Sequence, residues 1–179
     1  MREESGRRAG QVERCENQRR EETAGRKVNV VKIVKVIKDR SGFIIDSSAY
    51  RDYVVAVRSR APESALQYML ADWHYDHLDP RCPHDSKIEA LTIKEKGWAT
   101  DIEISLSGAY GGVISLSYSN VFSYSMKKRK ADWPAEDFSH GDWIADEVTL
   151  EDDGFLIHEI VFINAIVKIK CKDLAYKAR

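Results

Sequence analysis

Residues 101–126 read DIEISLSGAYGGVISLSYSNVFSYSM. Ile102, Ile104 and Leu106 alternate with Asp101, Glu103, Ser105 and Ser107; Ile114, Leu116 and Tyr118 alternate with serines, and Phe122, Tyr124 and Met126 continue the pattern. Side chains of a strand point alternately to its two faces, so a period of two marks half-buried antiparallel strands. GAYGG at 108–112 supplies a reversal, as does Gly97-Trp98 just upstream. Further on, Trp143 to Leu150 and Phe155 to Phe162 form a second hairpin across EDDG at 151–154, and the apolar run Ile166 to Cys171 closes the sheet.

Upstream of this region the period changes. VNVVKIVKVI at 28–37 is rich in β-branched residues and predicts a strand, returned as a hairpin through DRSG at 39–42 to Phe43–Ile45. Tyr50, Tyr53, Val54 and Val57 then repeat at helical spacing after Ser47 and Ser48, either of which can cap a helix. Leu66, Met69, Leu70 and Trp73 repeat likewise after Pro62 and Glu63, residues suited to a first helical turn. The expected architecture is therefore α+β, with two N-terminal helices packed on one antiparallel sheet of about six or seven strands.

The chain has 179 residues, 43% hydrophobic and 32% charged, enough for one domain with a substantial core. We place that domain at 28–179. Residues 1–27 hold eight Arg or Lys and six Glu and almost no large apolar side chain, which predicts a disordered charged arm. The formal net charge of −1 gives no global basic field, so a nucleic-acid partner is not expected. No window approaches the roughly 18 apolar residues of a membrane span, and the N-terminus lacks a signal-peptide apolar core, so a soluble cytoplasmic protein is expected. The three cysteines, Cys15, Cys82 and Cys171, are odd in number and widely spaced, which predicts reduced thiols.

The densest polar stretch is WHYDHLDPRCPHDS at 73–86, with three histidines, one cysteine and three aspartates. His74, His77, Cys82 and His84 are zinc-donor types, yet His-x2-His followed by Cys-x-His is not the spacing of two metal knuckles. His84-Asp85 has the residue pair of a His-Asp phosphohydrolase, which needs a helix that Pro80 and Pro83 would break. The favoured reading is a polar connection between helix and sheet, in which Asp85 and Ser86 satisfy backbone amides and His84 packs against the first strand. No cofactor is expected. His158-Glu159 lies on an alternating strand, so one of the pair should be satisfied inside and the other solvated.

Charge is distributed asymmetrically. From Ala131 to Gly154 there are nine acidic residues and no Lys or Arg, directly after Lys127-Lys128-Arg129-Lys130. Aromatic residues are interleaved with the acids, as on protein-binding surfaces, which predicts a recognition face carrying Asp132, Trp133, Asp142, Trp143, Asp146 and Glu147.

The succession CPHDSKIEALTI, the alternating 101–126 stretch, HGDWIADEVTL and FLIHEIVF resembles a group of small, mostly uncharacterised bacterial proteins with an His-Asp-Ser or His-Asp-Ala element before a β-meander. It is similar to elements of some immunity proteins of polymorphic toxin systems. The likeness spans about residues 72–162 and implies a fold and a cytoplasmic setting, with no catalytic residue to carry over. The functional expectation is a non-enzymatic protein-binding module, in concrete form an immunity-like inhibitor of a toxin. Two alternatives stay open: a small enzyme dependent on metal or on His84 and Asp85, and a structural subunit of a homo-oligomer.

Overall fold

The computed structural model describes residues 26–27, 31–39, 42–129 and 138–179. The remainder of the expected arm, residues 1–25, lies outside them, as do the candidate surface residues Asp132 and Trp133. Eleven strands and two helices are present among the described residues, in three antiparallel sheets. The α+β class agrees with the sequence reading, whereas the single sheet of six or seven strands does not.

A small sheet comes first. β1 (Arg26–Lys27), β2 (Lys35–Lys38) and β3 (Phe43–Asp46) pair in the order β1-β2-β3. The β2–β3 hairpin across DRSG forms as expected, but Val31 to Val34 is not strand. Its amides are taken elsewhere: Lys32, Ile33 and Val34 donate at 2.7, 2.8 and 3.0 Å to the carboxylate of Glu147. A local β-branched preference yields here to a charge-assisted clamp.

Helix α1 (Ser48–Val57) buries Tyr50, Val54 and Val57, the stripe read from the sequence. Ser47 stands at the N-cap position but its side chain makes no capping bond; Asp46 Oδ1 accepts the Ser48 amide and hydroxyl. Helix α2 (Glu63–Met69) is shorter than its pattern predicts and buries Ala65, Tyr68 and Met69, leaving Leu70 exposed. It packs against β11 (Asp173–Ala178), where the Tyr68 and Tyr176 rings stack at 5.0 Å. The sequence reading stopped at Cys171 and missed this last strand.

Two four-stranded sheets form the body. One has the order β11-β6-β5-β4, with β4 (Lys87–Lys96), β5 (Ala99–Ser107) and β6 (Val113–Ser119). The other has the order β7-β10-β9-β8, with β7 (Ser123–Lys128), β8 (Trp143–Leu150), β9 (Leu156–Phe162) and β10 (Ala165–Cys171). One continuous buried cluster joins Ile102, Ile104, Leu116 and Tyr118 of the first to Val148, Leu156, Ile160 and Val167 of the second.

The alternation buries Ile102, Ile104, Leu106, Ile114, Leu116 and Tyr118 on β5 and β6, whereas Phe122, Tyr124 and Met126, expected to continue that face, are exposed, and the chain changes sheets between the two sets. Asn120 adopts a left-handed φ of 49°, a conformation that Asn tolerates better than most residues. The next two amides then diverge: Val121 donates to Thr100 of β5 at 2.7 Å, and Phe122 donates to Lys170 of β10 at 2.8 Å. A single corner thus divides one meander between two sheets, which a period of two cannot reveal.

Candidate functional site

Strand β8 carries Trp143, Asp146 and Glu147 of the expected recognition face. Trp143, Asp146 and Glu147 are each at most 1% exposed. They therefore do not form a recognition face. The sequence held the reason: with a period of two, Asp146 shares a face with Val148 and Leu150, the face turned to the core. Glu147 points from the opposite face and holds the 32–34 amides. Of the other described acids in this segment, Asp142 stands 3.5 Å from Lys87, while Glu151 and Asp153 both bind Lys170, the latter at 2.8 Å.

Around Asp146 three distant segments converge. His158 Nε2 lies 2.9 Å from Asp146 Oδ2, His74 Nε2 lies 3.1 and 3.2 Å from its two oxygens, and the Tyr68 hydroxyl donates to Oδ2 at 2.9 Å. Burial alone would push this carboxyl up, but the charges and hydrogen bonds of His74 and His158 outweigh it and hold Asp146 well below the usual carboxylate range. An ionised carboxylate only accepts, so both Nε2 atoms carry hydrogen. Nδ1 of His158 lies 2.8 Å from the Tyr118 hydroxyl, so both nitrogens of this ring are hydrogen-bonded. His74 is held between the rings of Tyr68 and Tyr75, at centroid distances of 4.1 and 4.2 Å. Its buried Nδ1 has no hydrogen-bond partner among the described residues.

The 73–86 stretch docks onto β8 by backbone. The Asp85 amide donates to the Trp143 carbonyl and the Trp143 amide to the Ser86 carbonyl, both at 2.9 Å. Gly141, just before β8, lies instead against the β9–β10 turn: its φ is +76° and a Cβ there would meet the Ile163 Cβ at 2.7 Å. Asx turns do shape the corner, but at Asp76 and Asp79, which accept the Leu78 and Arg81 amides, and not at Asp85. Asp85 has a φ of 60° and an exposed side chain, with Oδ2 3.1 Å from His84 Nδ1. The Ser86 hydroxyl donates to the Pro83 carbonyl instead of accepting from a backbone amide.

The four zinc-type side chains diverge. His74 turns to Asp146, the Cys82 thiol donates to the His74 carbonyl at 3.2 Å, and the rings of His77 and His84 stand 5.7 Å apart. No group of three or more His, Cys, Asp or Glu among the described residues is arranged to hold a metal ion. Burial pushes the Cys82 thiol up to about 12, which removes it as a nucleophile near neutral pH. Of the His158-Glu159 pair, His158 is fully inside; Glu159 sits on the opposite face, itself nearly buried, 3.0 Å from Lys168.

A cleft of about 300 Å³ opens beside this cluster, between β3, β8 and the corner. Phe43, Tyr75 and Trp143 give it aromatic walls, and His74, Asp146 and Cys82 line its depth. His77 and His84 stand nearer the surface. β8 carries a bulge at its wall, where Ile144 has no register partner in β9.

The sheet edges differ in how they are finished. The free edge of β8 is completed by tyrosine hydroxyls: Tyr75 donates to the Asp146 carbonyl at 2.7 Å, Tyr50 bonds the Val148 amide and carbonyl at 2.9 and 3.1 Å, and Tyr53 accepts the Leu150 amide at 2.7 Å. β4 is an edge of another kind. Nine of its ten residues are exposed, including Leu91 and Ile93, and Trp98 at its turn is fully exposed.

No protein-family model matches the chain, and no curated protein matches it either. No helix among the described residues is long and apolar enough to cross a membrane.

Proposed function

We propose that this protein works by binding another protein, and that its recognition element is the open β4 edge with Trp98. The single observation that carries this reading is the contrast between edges. The outward backbone groups of β8 are answered by three tyrosine hydroxyls and by Asp85 and Ser86, whereas β4 is ten residues long and solvent-facing. An uncovered edge is a template for an added strand, and natural proteins normally blunt or cover such edges. Leu91, Ile93 and Trp98 would supply the apolar anchors, and Lys87, Glu89, Lys94, Glu95 and Lys96 the register.

An inhibitor that covers a toxin's site is the concrete form of the reading, and it rests on the resemblance of residues 72–162 to immunity-type elements. The acidic segment contributes less than its charge promised, because two of its carboxylates, Asp146 and Glu147, are inside. The burial of His158 and Asp146, both almost without solvent contact, supports a binding role over a catalytic one.

A photo-crosslinking residue at position 98 of the full chain tests this in an extract of the source cells, with position 177 as control. The expected result is one adduct of defined mass at 98 and none at 177. Labelling that is equal at the two positions, or absent at both, would overturn the assignment. An adduct of twice the chain mass would give the edge to a second copy, the homo-oligomer alternative.

A further inference from the structure

We propose that the cleft between β3, β8 and the 74–86 corner is a binding site for a small planar molecule carrying a hydroxyl, which it sets against His74 Nδ1. Four observations on the molecule converge on this. The first is size: about 300 Å³ is at the lower end of the range of ligand pockets, suited to one ring or two fused rings. The second is the wall chemistry, with Phe43, Tyr75 and Trp143 offering flat apolar surface for a ring.

The third is the exception that His74 makes in an otherwise satisfied network. Asp146 accepts from His74, His158 and Tyr68, and His158 is bonded at both nitrogens. His74 is 2% exposed and lines the cleft, yet its Nδ1 has no partner among the described residues. A buried polar atom left over at the wall of a cleft is a recognition atom in search of its complement.

The fourth fixes which ring atom is free. Nε2 of His74 is turned to the Asp146 carboxylate, so Nδ1 is the nitrogen left for a ligand, and a hydroxyl can complement it as donor or acceptor. Cys82 offers no covalent chemistry in competition, since its thiol is buried and donates to the His74 carbonyl.

The site is independent of the β4 edge and can be tested without a protein partner. Full-length protein labelled with ¹⁵N-histidine is titrated with phenol, with toluene as control, while the imidazole nitrogens are followed by NMR. Phenol should bind saturably and shift His74 Nδ1 while leaving both His158 nitrogens in place. It should bind about tenfold more tightly than toluene, the worth of one hydrogen bond to a buried polar atom. Equal affinity for phenol and toluene would reduce the cleft to an apolar void, and no saturable binding would remove the site. Because His74 substitutions disturb the core, the variant of choice is Ile45→Trp, which fills the cleft from β3 and leaves the Asp146 network intact. It should abolish phenol binding, and retained binding would overturn the proposal.

Discussion

His158 and Asp146 lie diagonally on the adjacent strands β9 and β8, with Nε2 of the one 2.9 Å from Oδ2 of the other. His74 reaches the same carboxylate from a segment 72 residues earlier in the chain. The corner, helix α2 and the β8–β9 hairpin are thereby tied to one buried charge.

Removing that charge alone should be costly. Asp146→Asn puts an amide donor where three donors converge, so at least one histidine N–H loses its acceptor. We expect a loss of about 3 kcal/mol, in the range for breaking a buried ionic pair from one side. Urea unfolding at pH 7 measures it, and a loss under about 1 kcal/mol would mean that the network is far less coupled than its geometry implies.

The same carboxylate gives a pH signature. Its folded-state value is depressed by His74 and His158, so the stabilisation is fully present above the unfolded-state value near ~4 and is lost as pH falls from there toward the folded-state value. The stability gap between wild type and Asp146→Asn should therefore narrow between pH 5 and pH 3. Urea midpoints at the two pH values decide it; a gap that widens on acidification contradicts the assignment.

Tyr50→Phe deletes the one hydroxyl that serves both the amide and the carbonyl of Val148. Both groups are buried, so we expect about 2 kcal/mol of destabilisation and a matching fall in protection of the Val148 amide in hydrogen exchange. Unchanged exchange at Val148 would show that α1 does not seal this edge.

Glu147→Ala should release the 31–34 segment from the outer face of β8. With three amides losing one charged acceptor, the expected cost is about 3 kcal/mol, together with new proteolytic cleavage between residues 31 and 39. Cleavage confined to residues 1–25 in both proteins would count against the clamp.

Burial pushes the thiols of both Cys82 and Cys171 up to about 12. In a Cys15→Ser chain at pH 8, an aromatic disulfide reagent should therefore find no fast-reacting thiol in the native protein and two after unfolding in urea. A rapid native reaction would place one of them within reach of solvent.

Much of the fold was legible locally. The apolar stripe of α1, the reversals at Gly97-Trp98 and GAYGG, and the hairpin across EDDG each follow from periodicity and turn chemistry over ten or so residues. The missed features share a different cause. Strand β11, the corner at Asn120 and the non-strand segment at 31–34 depend on partners that local pattern does not contain: β6 for the first, β5 and β10 for the second, and Glu147 for the third. His74, Asp146 and His158 were all noticed, but in three separate roles, because nothing in their spacing joins them.

By itself, then, the sequence determined the stripe of α1, the strands of the β5–β6 and β8–β9 hairpins and their reversals, since those follow from side chains a few residues apart. The parity of β8 even contained the burial of Asp146 and Glu147, although their charge pointed the other way. Tertiary structure alone decided what a buried carboxylate would meet. Charges are inside only where partners answer them, and here the partners come from the far side of a corner, another strand and the start of the domain. It also decided which edge was sealed by tyrosines and which was left open, because an edge exists only once the strands have chosen their neighbours.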